Sequence, residues 1–309
     1  MLVVVFFASA LIFFILNFVP GGPFSTLRAS SPRITQADIE RLNRLLGLDK
    51  PVHVRYIDWL KGIATGNWGS SWTVARGMDV LKLIQSRVGN TLLLMTSALV
   101  LSLLIAFPIG IYSAVKQYSK LDYVVTAFSF VGISMPTFWF GLMLIIIFSV
   151  TLRLLPAGSM ATPGYEWDPI DRLKHLILPM VVLSLFYVAG WSRFIRSSML
   201  EVLRQDYIRT ALAKGLSRRV VILKHALRNA LIPVITVVAL ALPDLFAGAI
   251  ITETVFAWPG MGRLYYDAVF GSDWPVAMGI LVMTALLVVV ANLVADIAYA
   301  IVDPRIRYS

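Results

Sequence analysis

The sequence predicts an all-α membrane protein with six crossing helices, and three observations carry that prediction. The 309-residue chain is 58% hydrophobic and only 14% charged, against about 25% charged residues in ordinary soluble domains. Long apolar runs recur along it, and about 20 such residues cross a ~30 Å hydrocarbon core as a helix. The runs are continuous rather than alternating, which favours helices over a barrel.

The six spans fall at residues 1–19, 90–115, 123–152, 176–195, 230–251 and 275–302. The first has no basic n-region, and "FVPGGP" is a poor cleavage site, so it reads as a helix and not a signal peptide. It opens abruptly at Met1, without the basic segment that normally precedes such a helix. The third and sixth spans exceed the minimum length, which predicts tilt or extra turns. Pro108, Pro136, Pro179, Pro233 and Pro243 lie in or near spans. Each removes a helix hydrogen bond, and the reading favours simple tolerance at any one of them.

Loop charge sets the orientation. The connection after the fourth span carries Arg196, Arg204, Arg209, Lys214, Arg218, Arg219, Lys224 and Arg228 against Glu201 and Asp206. Lys116 and Lys120 against Asp122, and Arg305 and Arg307 in the tail, lie on the same side. The other side is balanced or acidic. The positive-inside rule therefore places both termini in the cytoplasm, and residues 20–89 form an external loop too long to be governed by the rule. Within that loop, "ITQADIERLNRLLGLDKPV" predicts an amphipathic helix, capped by Thr35, with Ile39, Leu42, Leu45 and Leu46 on one face and a stop at Gly47. Trp68 and Trp72 suit a membrane interface, as does Trp258 in the outer turn Trp258-Pro259-Gly260.

The basic connection, residues 196–229, is the candidate functional element. Residues 201–214 read as a helix, Gly215 supplies a left-handed C-terminal position, and Ser217 is placed to cap a second helix from Arg218. Leu212, Leu216, Val220 and Leu223 form an apolar stripe on this charged pair. Two readings stay open on the residues alone: anchoring of the bases at lipid phosphates, and docking of a protein partner on the stripe. A DNA-reading helix-turn-helix is set aside, because tethering at both ends leaves no free recognition face.

The stretches "ALAKG" and "KHALRNALIPV" resemble the coupling loop of ATP-binding-cassette importer permeases of the dipeptide/oligopeptide branch. The general pattern has Glu-Ala-Ala, three residues, Gly, nine residues and Ile-x-Leu-Pro. Ala211, Gly215 and Leu227 match it. Arg209, Thr210, His225 and Arg228 depart from it in the manner of the peptide branch. "LGLDKPV", "LPAG", "TETVFAWPGMGRL" and the ending "VDPRIRYS" resemble that branch in order, while Gly22 in "PGGP" stands where it usually has an acid. The resemblance implies a type I importer permease fold in one permease domain, residues 1–309, in the plasma (inner) membrane. It implies a second homologous permease, two ATPase subunits carrying ATP and Mg, and an external substrate-binding protein. It places the ATPase contact at Arg209, Thr210, Ala211, Leu212, Lys214, Gly215, Leu216, Ser217, Arg218, Arg219, Val220 and Leu223.

The absences fit. There is no Gly-Lys pair, so no P-loop, and no catalytic or metal-binding motif, and no cysteine. The chain reads as a transport subunit, not an enzyme, binding no cofactor itself and no nucleic acid. His53, His175 and His225 fall in three separate loops by this reading. Asp244, mid-way along the fifth span, is expected to face a cavity or a partner, because a carboxylate near the bilayer centre costs about 2.5–3.5 kcal/mol on insertion scales. It is the candidate translocation-path residue, with a structural pairing as the alternative. Asp296 is expected to pair with Asn292 one turn earlier. The competing function is an ion-coupled secondary transporter or channel acting without an ATPase, which would want more intramembrane carboxylates or two related halves.

Overall fold

A computed structural model describes residues 2–18, 40, 41, 43, 44, 47–247 and 249–302. The elements are helical throughout: α1 (Leu2–Phe18), α2 (Val52–Ala64), α3 (Val80–Val115), α4 (Lys120–Ser134), α5 (Thr137–Thr151), α6 (Pro169–Leu203), α7 (Asp206–Ala213), α8 (Arg218–Leu240), α9 (Asp244–Ala247), α10 (Ile250–Val255), α11 (Met261–Phe270) and α12 (Trp274–Val302). Four of them, α3, α6, α8 and α12, are long and apolar enough to cross a membrane, and α4 with α5 makes a fifth if the bent pair is one span. The first predicted span is the shorter apolar α1, of 17 residues.

Two of the five prolines break their spans. Met135 is extended (ψ 124°) ahead of Pro136, as steric clash with the following ring requires. The result is a bend of 106° between α4 and α5 inside what reads in the sequence as one span. The predicted fifth span is displaced: α8 begins at Arg218 and ends at Leu240, short of Pro243. Pro108, Pro179 and Pro233 stay inside α3, α6 and α8.

The chain forms two compact units. The first comprises residues 1–91, 246–250 and 259–290. Its core joins Trp68, Val80, Leu83 and Ile84 to Met261, Leu264, Val276 and Ile280. Trp68 is buried in this core, which corrects the interfacial placement. Gly279 makes room for the Val80 side chain, since a Cβ there would lie 2.6 Å from Val80 Cγ1. Helix α2 packs on α1 through Tyr56, whose hydroxyl lies 3.0 Å from Ser9 Oγ and whose ring neighbours Phe13. The expected outer amphipathic helix is only partly described. Residues 40, 41, 43 and 44 are helical and Gly47 ends them at φ +65°, while Thr35, Ile39, Leu42, Leu45 and Leu46 lie outside the described residues.

Loop 70–79 is tied to the start of α12 by one carboxylate. Asp273 Oδ2 accepts Ser71 Oγ–H (2.5 Å) and the backbone N–H groups of Trp72 (3.0 Å), Thr73 (2.9 Å) and Val74 (3.0 Å). Three successive N–H groups aimed at one oxygen make an anion nest. Asp273 is fully buried, and its Oδ1 has no hydrogen-bond partner.

The second unit comprises residues 92–245, 251–258 and 291–309. Its main core gathers Leu99 and Ala106 of α3, Trp191, Ile195 and Met199 of α6, Ile208 and Ala211 of α7, and Val221, Ala226 and Val234 of α8. Gly110 lets α3 close on α6, since a Cβ there would sit 2.8 Å from both Ile195 Cβ and the Ser192 carbonyl. Trp258 is wholly buried against Leu94 and Leu176, not interfacial. The histidines sit in helices and not in loops: His53 in α2, His175 in α6, His225 in α8. His175 Nδ1 lies 2.7 Å from the Gly158 carbonyl, and Nε2 lies 3.2 Å from Thr162 Oγ1, bracing the loop before α6. Asn292 and Asp296 are both exposed, and no hydrogen bond joins them.

Candidate functional site

The basic connection is a helix–turn–helix whose turn is locally determined. Helix α6 runs on to Leu203, further than the sequence indicates, and the break at Arg204–Gln205 starts α7 at Asp206. Helix α7 ends in a Schellman motif: the Gly215 N–H reaches the Leu212 carbonyl (3.0 Å) and the Leu216 N–H reaches the Ala211 carbonyl (3.4 Å). Gly215 carries the positive φ, +81°, that this motif demands. A Cβ on Gly215 would meet nothing within 4 Å, so its role is conformational and not a matter of space.

Ser217 occupies the expected cap position, with β-region dihedrals (φ −61°, ψ 142°), but its hydroxyl makes no capping bond. Its carbonyl accepts the first helical bond, from Val221 N–H at 3.0 Å. The second helix is not a short piece of the loop. It is the start of α8 itself, continuous through a π-helical stretch at Val221–Ala226 to Leu240. A π turn inserts an extra residue and re-aims the face that follows, and such turns recur at functional sites.

The pair has two faces. Ile208, Ala211 and Val221 are buried and join the core of α3 and α6. Ala211, one of the predicted contact residues, therefore faces inward and anchors α7. Leu212, Leu216, Val220 and Leu223 are 46%, 40%, 40% and 50% exposed. Residues 212–220 are exposed without interruption, including Lys214, Gly215, Ser217, Arg218 and Arg219. Arg209 and Thr210 are exposed as well. The predicted contact residues, apart from Ala211, are thus all solvent-exposed along the end of α7, the turn and the start of α8, with apolar side chains set among bases. Arg204, Lys224 and Arg228 add exposed bases along the same segment. The ion pair Arg209–Asp206 (3.5 Å) joins side chains 77% and 95% exposed. Such pairs contribute little, so the rim remains electrostatically available to a partner.

Asp244 is not brought to this surface. It opens the short α9 after the Ala241–Pro243 turn, and it is exposed.

Sequence reasoning missed a partly buried ion pair next to this element. Asp122 accepts two bonds from Arg196, Nε to Oδ1 at 2.8 Å and Nη2 to Oδ2 at 3.0 Å. It also accepts the Ser113 hydroxyl on Oδ1 and the Tyr118 N–H on Oδ2 at 2.9 Å. The only signal for it was one acid among the bases flanking α4.

Residues 106–308 match the family described as binding-protein-dependent transport system inner membrane component, and residues 1–75 match its N-terminal counterpart. The chain is 47% identical over 300 residues to the oligopeptide transport system permease protein AppB of Bacillus subtilis (strain 168), covering 97% of this chain and 94% of that protein. It is 39% identical over 329 residues to the di/tripeptide transport system permease protein DppB of Pseudomonas aeruginosa (strain UCBPP-PA14), covering 100% and 96%. The dipeptide transport system permease protein DppB of Escherichia coli (strain K12) is 37% identical over 321 residues, covering 97% and 94%. Among solved structures, a chain of the inward-facing MetNI methionine ABC transporter superposes with a TM-score of 0.59 at 19% identity, over 72% of this chain and 97% of that one. That likeness concerns the fold, which is of the type I importer permease class. On the extent of the family match and of its full-length relatives, this chain belongs to the binding-protein-dependent transport system inner membrane components.

Proposed function

We propose that this chain is one permease subunit of an ATP-driven peptide importer in the plasma membrane, with both termini cytoplasmic. It forms half of the translocation pathway with a second, similar permease. Two ATPase subunits beneath supply the energy, and an external binding protein delivers di- or oligopeptides. The observation that carries the reading is the exposed stripe of Leu212, Leu216, Val220 and Leu223, held on a helix pair whose other face is locked into the core. An amphipathic element with a buried anchor and an uncovered apolar face fits a helix-in-groove partner. The names of relatives that share nearly the whole chain support peptides as cargo.

In this reading the α7–α8 turn sits in a cleft of the ATPase. Nucleotide binding closes the ATPase pair and draws the two coupling turns together. Ile208 and Ala211 transmit that displacement into Ile195 and Met199 of α6, and the helices rock between inward-open and outward-open states. Asp244, exposed beyond the end of α8, is retained as the candidate pathway residue.

The test begins with solubilising the complex through a tag on this chain. ATPase subunits should co-purify, and reconstituted vesicles should take up labelled trialanine only with ATP and binding protein. A chain that purifies alone and moves solute without nucleotide would falsify the reading. Gly215→Val probes the turn itself. Left-handed φ at a β-branched residue costs about 1–2 kcal/mol, and with open space around Gly215 that strain stays in the turn. ATP hydrolysis should persist, while trialanine taken up per ATP should fall roughly tenfold, within the 5–150-fold span of ordinary coupling energies.

A further inference from the structure

Helix α4 buries no large apolar side chain. Its buried residues are Asp122, Ser129 and Gly132. Tyr123, Val124, Phe128, Phe130, Val131 and Ile133 are all exposed. Against α6 it places Ser129 Oγ 3.4 Å from Ser192 Oγ, and a Cβ on Gly132 would stand 3.2 Å from Ala189 Cβ. Small residues permit close approach but offer few dispersion contacts. Two cationic ties join the helices as well: Arg193 lies over the Phe130 ring, 4.7 Å from its centroid, and Arg196 makes the two-pronged pair with Asp122, the stronger of the two for its paired charge-assisted bonds.

The pair is also well placed. Asp122 is 5% exposed at its side chain and Arg196 is 30% exposed. Ser113 binds the carboxylate from the end of α3, and Tyr118, held at φ +58°, turns its N–H onto it from the α3–α4 connection. A non-glycine residue in that region costs free energy and persists only where its surroundings fix it. On α6, Ile195 is next to Arg196 in sequence and packs in the core shared with Ile208 and Ala211 of α7. The last turns of α6 are thus gripped by the coupling helix through one face and by Asp122 through another. Beyond its far end, α4 leads across the 106° break into α5.

We propose that the Asp122–Arg196 pair is the link by which α4 follows α6 when the coupling helix moves, so that both are positioning residues for transport. This rests on the importer reading. Displacement of α7 shifts α6 through Ile195 and Met199. The ion pair makes α4 move with α6 as one body, and the bend at Met135–Pro136 carries the motion into α5. The small residues and the exposed Arg193–Phe130 contact hold α4 to α6 less firmly than this pair does.

The test uses the complete reconstituted complex. The chain contains no cysteine, so Val124→Cys and Glu201→Cys, both at exposed positions, place two spin labels on α4 and α6, with cysteines in the partner subunits replaced. In the otherwise native complex the interspin distance should stay the same when ATP is added and trapped with vanadate. With Asp122→Asn it should change or broaden on trapping, hydrolysis should persist, and labelled trialanine taken up per ATP should fall roughly tenfold. Arg196→Lys keeps the charge but loses the fork, and should fall between. It also approaches the pair from its half-exposed partner if Asp122→Asn does not assemble. Native uptake per ATP in both variants, or a nucleotide-dependent distance in the native complex, overturns the link and leaves the importer reading intact. A native complex that hydrolyses no ATP removes the importer reading and the link with it.

Discussion

Glutamate at both Leu216 and Val220 is expected to leave the chain folded and inserted while abolishing capture of the ATPase. Each side chain is 40% exposed and neither belongs to a buried core, so their replacement costs the isolated chain little, within about 0.5 kcal/mol for typical surface changes. In a docked complex the balance reverses. Two carboxylates would be carried into an apolar cleft without partners, at several kcal/mol of desolvation even after relaxation. A loss of roughly 3 kcal/mol already weakens binding more than a hundredfold. The measurement is the ratio of ATPase to permease after affinity purification from membranes. A native ratio would mean that the stripe is not the docking surface. The inward face supplies the contrast. Ile208→Ala should lower thermal stability, by about 2–5 kcal/mol for a buried aliphatic truncation, because Ile208 is 3% exposed within the core.

The second large effect is expected at Asp273. Substitution by alanine strips the acceptor from Ser71 Oγ–H and from three backbone N–H groups at once. An abandoned buried donor costs about 1–3 kcal/mol, so the combined loss should reach roughly 3–5 kcal/mol. Loop 70–79 should become accessible to limited proteolysis, and the melting temperature should drop. Burial alone would push the Asp273 carboxyl up, but the Ser71 hydroxyl and the Thr73, Val74 and Trp72 amides outweigh it and hold the group below the ordinary carboxylate range. The sign follows from linkage. A depressed carboxylate contributes stability that is fully present above its unfolded value, near 3.9, and is lost as pH falls through its folded value. Native protein should therefore show no contribution to pH dependence from this group at neutral or mildly acidic pH, with loss only in strong acid. Asp273→Asn keeps an acceptor but should lack that acid-dependent component. Persistence of the component in Asp273→Asn would assign it to another group.

What was legible in the sequence is what is local. Gly215 and the stripe could be read because a Schellman turn and an amphipathic face are specified by residues a few positions apart. The turn at Gly215 and the exposed apolar side chains around it lie where the residues placed them. What escaped were relations across the chain. Asp122 and Arg196 are 74 positions apart, and Asp273 is about 200 positions from the amides that it binds. Single-residue character misled for Trp68 and Trp258: tryptophan suits a membrane interface, yet tertiary packing buried both. Pro136 and Pro179 look alike in sequence, but only the first is preceded by an extended residue and a break. Helix α2 was missed because it follows Pro51 in a loop whose apolar residues point to other anchors, and its Tyr56 finds its partners on α1.

The central claim is that this chain takes its energy from a separate ATPase through residues 212–223. Because the sequence contains no cysteine, Leu216→Cys creates a unique thiol on this chain at the middle of the stripe. Loaded with a short photoactivatable cross-linker in the purified complex, it should form one covalent adduct with the ATPase subunit, with a yield that changes when nucleotide is trapped. The same probe at Tyr165, exposed in the loop before α6 on the opposite side of the membrane in this reading, should form none. Cross-linking from Leu216→Cys only to lipid, with hydrolysis intact in the same sample, would contradict the account.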